Sequence, residues 1–367
     1  MKSLIQIMQK ISRSITLVGP FPPPYGGISI HLQRLTRYLD QSQYDYTLYN
    51  GTSDSSCSNR IISVKNRKLF FIVKLFLFER SKIFHLHTPN FLARVVFGIM
   101  AMFRSGKYVI SIQGRSINLS IEKSLIKKWI TFWILNQMDA IIACNENIKN
   151  DCINKIGLSK KKIFMIPAYI PPLVEDIKEP PAYLSKFIQS HFPVLCATGW
   201  IGQKYNAEDV YGIDMLIELT ERLMPDFPNI GLVLSINGAE SEKLVQQTIN
   251  HAKALVGDHI NFIIEQLDDV VGLYRDCDLF CRPTNTDGDA VSIREALHVG
   301  TPVIASDCVT RPVECVLFKS RNMNDFEHTV RKALKRIDKL FVVPKVGGAP
   351  NNAELILQLY NTLIAGD

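Results

Sequence analysis

Leu279-Phe-Cys-Arg-Pro-Thr-Asn-Thr-Asp-Gly-Asp-Ala-Val-Ser-Ile-Arg-Glu-Ala-Leu-His-Val-Gly-Thr-Pro-Val-Ile-Ala305 is the stretch that decides how this chain is read. Four residues of strand character, Leu279–Arg282, run into a polar loop, and an amphipathic stretch over 292–299 follows. Gly300 ends that stretch and a second apolar run over 302–305 begins. Strand, loop, helix and strand in this order form a parallel crossover unit, because an antiparallel pair needs no helix between its members.

Outward from it the same alternation fills the chain. Apolar, β-branched runs at 15–18, 83–87, 108–112, 140–143 and 163–166 read as buried parallel strands in the first half. Runs at 194–197, 231–236, 260–264, 279–282 and 302–305 read likewise in the second. Amphipathic stretches at 28–39, 126–137, 212–223, 241–255 and 292–299 supply the covering helices. The expected fold class is α/β, with two doubly wound parallel sheets. A Pro-rich stretch over 167–193 separates them, so the expected domains are residues 1–185 and 190–345. A final helix over 350–367 packs back toward the first domain.

Composition narrows the function classes. The 367 residues are 47% apolar and 21% charged, in the range of a globular protein long enough for two domains. No signal-peptide pattern or membrane-spanning run is present. Eight scattered cysteines without a Cys-x-x-Cys pair argue against a zinc site or a disulfide framework, and a cytoplasmic location is expected. Residues 1–190 carry 26 Lys and Arg against 11 Asp and Glu, whereas residues 191–367 carry 16 against 24. A basic half meets anionic partners: a phosphorylated ligand or an anionic membrane surface ranks above nucleic acid, for which no motif is present.

Ligands of doubly wound sheets bind beyond the carboxyl ends of the strands, and the notable residues fall there. Gly26 and Gly27, after the first strand, let a backbone approach a ligand closely, and the amides of the helix behind them favour an anion. An ordinary turn would use the same residues. In the deciding stretch, the amides of Ala290, Val291 and Ser292 open a helix toward a diphosphate. Glu295, one turn inside, can accept hydrogen bonds from the vicinal hydroxyls of a ribose, and Asp287 can accept one from a sugar. The bland alternative makes Asp289 a helix cap and Glu295 a solvated position.

With these residues in place, the stretch is similar to the acid–seven residues–acid motif of glycosyltransferase family 4, with Asp287 in the first acidic place and Glu295 in the second. The likeness continues through Gly300 to Asp307, backward over 261–264 and 273–278, and to Gly26-Gly27. The resemblance implies a GT-B fold, a nucleotide-sugar donor on the C-terminal domain, an acceptor on the N-terminal one, and retention of anomeric configuration. It further implies that Glu295 holds the ribose, Asp287 contacts the transferred sugar and the Gly26-Gly27 loop borders the diphosphate. The family's Gly-Arg and Lys-Gly pairs read Gly199-Trp200 and Tyr211-Gly212 here, so Lys204 or Arg282 is expected to supply the cation. The family's donor-contacting His is replaced by Gln113, followed by Gly114 and Arg115.

The chemistry expected is a metal-independent transfer without an enzymic nucleophile, in which the leaving phosphate takes the acceptor's proton and aimed amides and cations stabilise the leaving group. Asp276-Cys-Asp278 and Asp287-Gly-Asp289 resemble metal-binding Asp-x-Asp pairs, and a metal-dependent transferase is one rival. A nucleotide-sugar 2-epimerase and a non-catalytic partner subunit are two others. His85-Leu86-His87 has metal-like spacing without an evident third ligand, which favours packing or an acceptor contact. The expected partners are a UDP- or GDP-linked sugar and a saccharide or lipid-linked saccharide acceptor, with no other cofactor. The segments 65–82, 91–107 and 121–133, where Lys and Arg interleave with large apolar residues, read as amphipathic helices or as a patch lying on anionic lipid.

Overall fold

The computed structural model describes residues 14–23, 26–52, 59–64, 79–113, 124–265, 267, 269–287, 290–336 and 351–366. The chain forms two compact units, residues 1–170 with 351–367, and residues 171–350.

In the first unit, β1 (Ser14–Gly19), β2 (Asp45–Asn50), β3 (Ile61–Ser63), β4 (Ile83–Leu86), β5 (Lys107–Ile112), β6 (Ala140–Ala143) and β7 (Ile163–Met165) make a parallel sheet in the order 3-2-1-4-5-6-7. Its helices include α1 (Gly27–Asp40), α2 (Phe91–Phe103), α3 (Leu125–Asn136) and α4 (Glu146–Asn150). Alternate strand residues enter different cores. Ile15 and Leu17 pack with Leu32 and Leu35 of α1, whereas Phe84 and Leu86 pack with Phe97 of α2 and Ile134 of α3. Both faces are therefore covered, which is why the strands read as nearly continuous apolar runs. Each such buried side chain contributes roughly 1.5–3 kcal/mol of transfer free energy.

The second unit comprises α5 (Ala182–Ser190), β8 (Val194–Ile201), a small antiparallel pair β9 (Lys204–Tyr205) and β10 (Glu208–Asp209), α6 (Ile213–Leu223) and β11 (Gly231–Ala239). It continues through α7 (Glu242–Val256), β12 (Ile260–Ile263), α8 (Val271–Asp276), β13 (Leu279–Arg282), α9 (Val291–His298), β14 (Val303–Ser306), β15 (Val316–Phe318) and α10 (Met323–Leu334). The six-stranded sheet is parallel in the order 12-11-8-13-14-15. Each unit is thus a doubly wound parallel α/β domain.

The boundary between units differs from the expected one. It falls after Ile170, and α5 belongs to the second unit because fully buried Leu184 packs there with Val194 and Val233. The last helix, α11 (Asn352–Ala365), belongs to the first unit, where Ala353, Ile356 and Tyr360 join Ile15 and Leu17 in one core.

Each sheet reverses its strand order once, between β1 and β4 in the first unit and between β8 and β13 in the second. The carboxyl ends of those strands are where a doubly wound sheet has room for a ligand.

Candidate active site

At the β8/β13 reversal, Arg282 ends β13 with its guanidinium buried. Its Nε donates to Asp287 Oδ2 at 3.0 Å, its Nη2 to Asp287 Oδ1 at 3.3 Å and its Nη1 to Thr198 Oγ1 at 3.0 Å. Arg311, beyond the end of β14, donates from Nη1 to Asp287 Oδ2 at 2.9 Å and from Nη2 to Thr284 Oγ1 at 2.8 Å. Its Nε reaches the Ser306 carbonyl at 3.1 Å. Thr284 Oγ1 also donates to Asp287 Oδ2 at 3.2 Å. Burial alone would push the Asp287 carboxyl up, but the two guanidiniums outweigh it and hold its pKa at about 2.

Two residues singled out from the sequence are engaged within the unit itself. Asp287 does not offer an open carboxylate, because its oxygens already accept from Arg282, Arg311 and Thr284. Arg282 likewise is spent on Asp287 and Thr198 and lies 5.0 Å over the Tyr211 ring. Of the two cations expected to meet a diphosphate, Lys204 is the exposed one. Its hairpin is tied to the Asp287 loop by Asn285, which donates from Nδ2 to the Tyr205 carbonyl at 3.1 Å and from its backbone N–H to the Val210 carbonyl at 3.1 Å.

Gly199 and Gly212 earn their places by packing. A Cβ on Gly199 would come within 3.0 Å of the Ile213 side chain. Gly212 has a positive φ of 67°, and a Cβ there would sit 2.4 Å from the Pro283 carbonyl oxygen. Asp209 Oδ1 accepts the Tyr211 and Gly212 amides at 2.8 and 2.7 Å, so the start of α6 is capped from within the chain.

The start of α9 is different. Its capping position is Ala290, whose side chain has no polar atom, and the Val291 and Ser292 amides follow directly. Asp289, the alternative cap, lies outside the described residues, as does Gly288. Glu295 is 4% exposed, one turn into the helix, and so is not a solvated position. Its charge adds to the effect of burial in pushing up the hydroxyl of buried Tyr274 on α8.

In the first unit, Gly26 and Gly27 are exposed at the start of α1. The Gly26 N–H donates to Ser29 Oγ at 2.8 Å, and that hydroxyl donates back to the Gly26 carbonyl at 3.0 Å. Backbone angles at Gly26 are extended and a Cβ there would meet nothing closer than 4.0 Å, so nothing among the described residues demands glycine at that place. Gln113 follows β5 with its Oε1 buried and unpartnered among the described residues; Gly114 and Arg115 lie outside them.

Three imidazoles gather at the β1/β4 reversal. His87 lies between His31 of α1 and His85 of β4, with ring centroids 5.2 and 3.9 Å away. His85 is satisfied by Tyr360 Oη at 2.5 Å and Ser111 Oγ at 2.8 Å, and His31 Nδ1 by the Ala168 carbonyl at 2.6 Å. Both His87 nitrogens and His31 Nε2 are buried without partners among the described residues. Desolvation holds all three neutral and lowers His31 to about 4. Among the described residues no three His, Cys, Asp or Glu side chains are placed to hold a metal ion.

Sequence reading missed Arg311 and the grouping of His31 with His85 and His87. Arg311 sits four residues after Asp307, just past a strand end, and that position was the available signal. No spacing rule links residue 31 to 87; only the adjacency of β1 and β4 does.

Comparison with known proteins adds the following. Residues 25–172 match the family described as Glycosyltransferase Family 4, and residues 202–340 match Glycosyl transferases group 1. A 149-residue stretch, 40% of this chain, is 29% identical to an uncharacterized glycosyltransferase of Haemophilus influenzae; it spans 38% of that relative's length. Among solved structures, sucrose-phosphate synthase from Thermosynechococcus elongatus superposes over 97% of this chain and 100% of its own, with a TM-score of 0.71 and 15% identity. HepE of Anabaena in complex with UDP covers 96% and 98%, with a TM-score of 0.63 and 15% identity. A UDP-N-acetylglucosamine 2-epimerase assigned in Listeria monocytogenes covers 94% and 94%, with a TM-score of 0.62 and 14% identity. At these identities the structures show a shared fold.

Proposed function

We propose that this chain, whose two halves are glycosyltransferase domains in a GT-B fold, moves a sugar from a nucleoside diphosphate donor to a saccharide or lipid-linked saccharide acceptor with retention and without a metal. Bacterial surface polysaccharide synthesis, on the cytoplasmic side of a membrane, is the setting that fits such an acceptor. One observation carries the reading: a buried carboxylate, Glu295, stands one turn behind the start of α9, where Ala290 gives the amides no side-chain cap.

In this reading Glu295 accepts the two ribose hydroxyls of the donor. The Ala290, Val291 and Ser292 amides and Lys204 receive the diphosphate; on the first unit, the exposed Gly26-Gly27 backbone is open to a ligand. Departure of the diphosphate develops negative charge on the bridging oxygen, and fixed amides stabilise that charge without reorganising. Asp287 acts one step back, holding Arg282 and Arg311 so that the loop before α9 keeps its shape. Gln113 and the open nitrogens of His31 and His87 are the polar groups the first unit has for sugar hydroxyls. That HepE is described with UDP and with UDP-glucose supports a uridine donor as the first to test.

Glu295→Ala removes two hydrogen bonds to a charged acceptor, each worth roughly 1.5–3 kcal/mol, so the donor KM is expected to rise at least about 100-fold. The measurement is donor turnover with and without acceptor, in EDTA. An unchanged KM removes Glu295 from the site. Conversion of donor to a C2 epimer without acceptor replaces transfer with epimerisation.

A further inference from the structure

Helix α2 carries one polar side chain, Arg94, and that residue is buried, its Nε donating to the Thr88 carbonyl at 3.0 Å. Phe97 and Met100 fill the core. The opposite side of the helix nevertheless presents Leu92 (70% exposed), Ile99, Met102 and Phe103 (70%). Helix α3 lies against it: a Cβ on Gly98 would sit 3.3 Å from Ile134, so the small residue sets the close approach. That second helix adds Leu125 (84% exposed), Ile126 (73%), Trp129 (68%) and Phe132. A helix apolar on all sides belongs inside a protein or against lipid, and contiguous apolar surface of this kind marks an interaction face.

Its surroundings indicate what covers it. Neither helix contains an acidic residue, and among the described residues the charges the two helices expose are cationic: Lys127, whose Nζ lies 6.0 Å from the Phe91 ring, and Lys128. The first unit as a whole carries 24 Lys and Arg against 10 Asp and Glu. A two-fold pairing of this face with a second copy would bring these lysines together without a compensating carboxylate on either helix. Spanning is out of reach: thirteen residues of helix cover about 20 Å against about 30 Å of hydrocarbon, and no described helix is long and apolar enough to cross. Large apolar residues with a tryptophan, bordered by lysine, fit a helix pair lying in the headgroup layer.

We propose that the α2–α3 face docks the chain on an anionic phospholipid bilayer. This deepens the proposed function, since a lipid-linked acceptor is reached from such a surface, but the face is argued from its own residues.

The test is flotation of the full chain with extruded vesicles of phosphatidylcholine alone or with about 30% phosphatidylglycerol. The chain is expected to float with the mixed vesicles and at least tenfold less with the neutral ones. A Phe103→Glu, Trp129→Glu double variant should float at least tenfold less, with an unchanged thermal shift on adding UDP. Lys127→Glu with Lys128→Glu should abolish the preference for phosphatidylglycerol. Equal flotation of the apolar variant, no flotation of the native chain, or equal binding to neutral vesicles overturns the proposal. So does a dimer, seen by light scattering, that Trp129→Glu dissolves while vesicles go unbound. A native chain that floats but shows no nucleotide response keeps the docking face and removes the transferase reading.

Discussion

The two sheet reversals have the same topology and opposite chemistry. At β8/β13 the polar centre is ionised and closed: Asp287 sits between two guanidiniums, and Thr198, Thr284 and Ser306 take the remaining donors and acceptors. At β1/β4 the centre is neutral, and three imidazole nitrogens have no partner among the described residues. A network completed by the chain itself is scaffold, whereas buried valencies left open cost stability and persist where something else fills them. In the function proposed for this chain, the ligand-facing groups of the second unit lie outside its network, on α9 and β9. The open groups of the first unit are the reversal itself.

Acid should separate the two centres most strongly. Histidines held neutral by burial bind fewer protons folded than unfolded, so stability falls as pH drops below the unfolded value near 6.5, by about 1.4 kcal/mol per unit for each. For His31 the loss continues down to about 4, and His85 and His87 lie low for the same reason, desolvation. Asp287 loses stability in the same direction but in a lower window: its contribution is complete above the unfolded carboxylate range and is lost as pH falls toward about 2. Asp209 and Asp278 are pushed up by burial, which favours their folded unit as pH falls. Hydrogen exchange between pH 7 and 4.5 should therefore show β1 and β4 opening well before β8 and β13. Loss of protection in the reverse order would break the contrast.

What the sequence made legible follows from what it encodes locally. Strand and helix periodicity, the Gly300 stop and the depth of Glu295 beside Ala296 and Leu297 all lie within one short window. The boundary near residue 170 was harder, because Leu184 looks like any helical leucine until it is seen in the core of Val194 and Val233. Asp287 was assigned from its place in a motif, but a motif does not report that Arg311, 24 residues on, has claimed the same oxygen. Strand β2 and the edge strand β3 escaped notice because Asp45 to Asn50 alternates polar with apolar residues and β3 has only three residues.

A smaller effect sharpens the second unit. Asp287→Ala leaves Arg282 and Arg311 buried without their counter-charge, and breaking such a pair costs about 3–5 kcal/mol. Denaturant unfolding followed by exchange at β13 and β14 should locate that loss in the second unit, with β1 and β4 unaffected. If the variant keeps native stability, the closed network is not what shapes the loop before α9.

The smallest effect tests the one satisfied imidazole. Tyr360→Phe on α11 removes the hydroxyl that meets His85 Nδ1 and retains the ring, which lies edge-on to His85 at 5.7 Å and fills the same core. The variant leaves His85 in the state of His31, with one buried nitrogen lacking a partner among the described residues, at a cost of about 1–3 kcal/mol. Tyr44→Phe is the control, since its hydroxyl reaches Asn361 on the same helix at a part-buried site and its loss should matter less. If Tyr360→Phe is as mild as Tyr44→Phe, an unpaired imidazole is cheap in this unit. The open nitrogens of His31 and His87 then cease to be a reason for placing a ligand there, and the contrast between the two reversals reduces to charge alone.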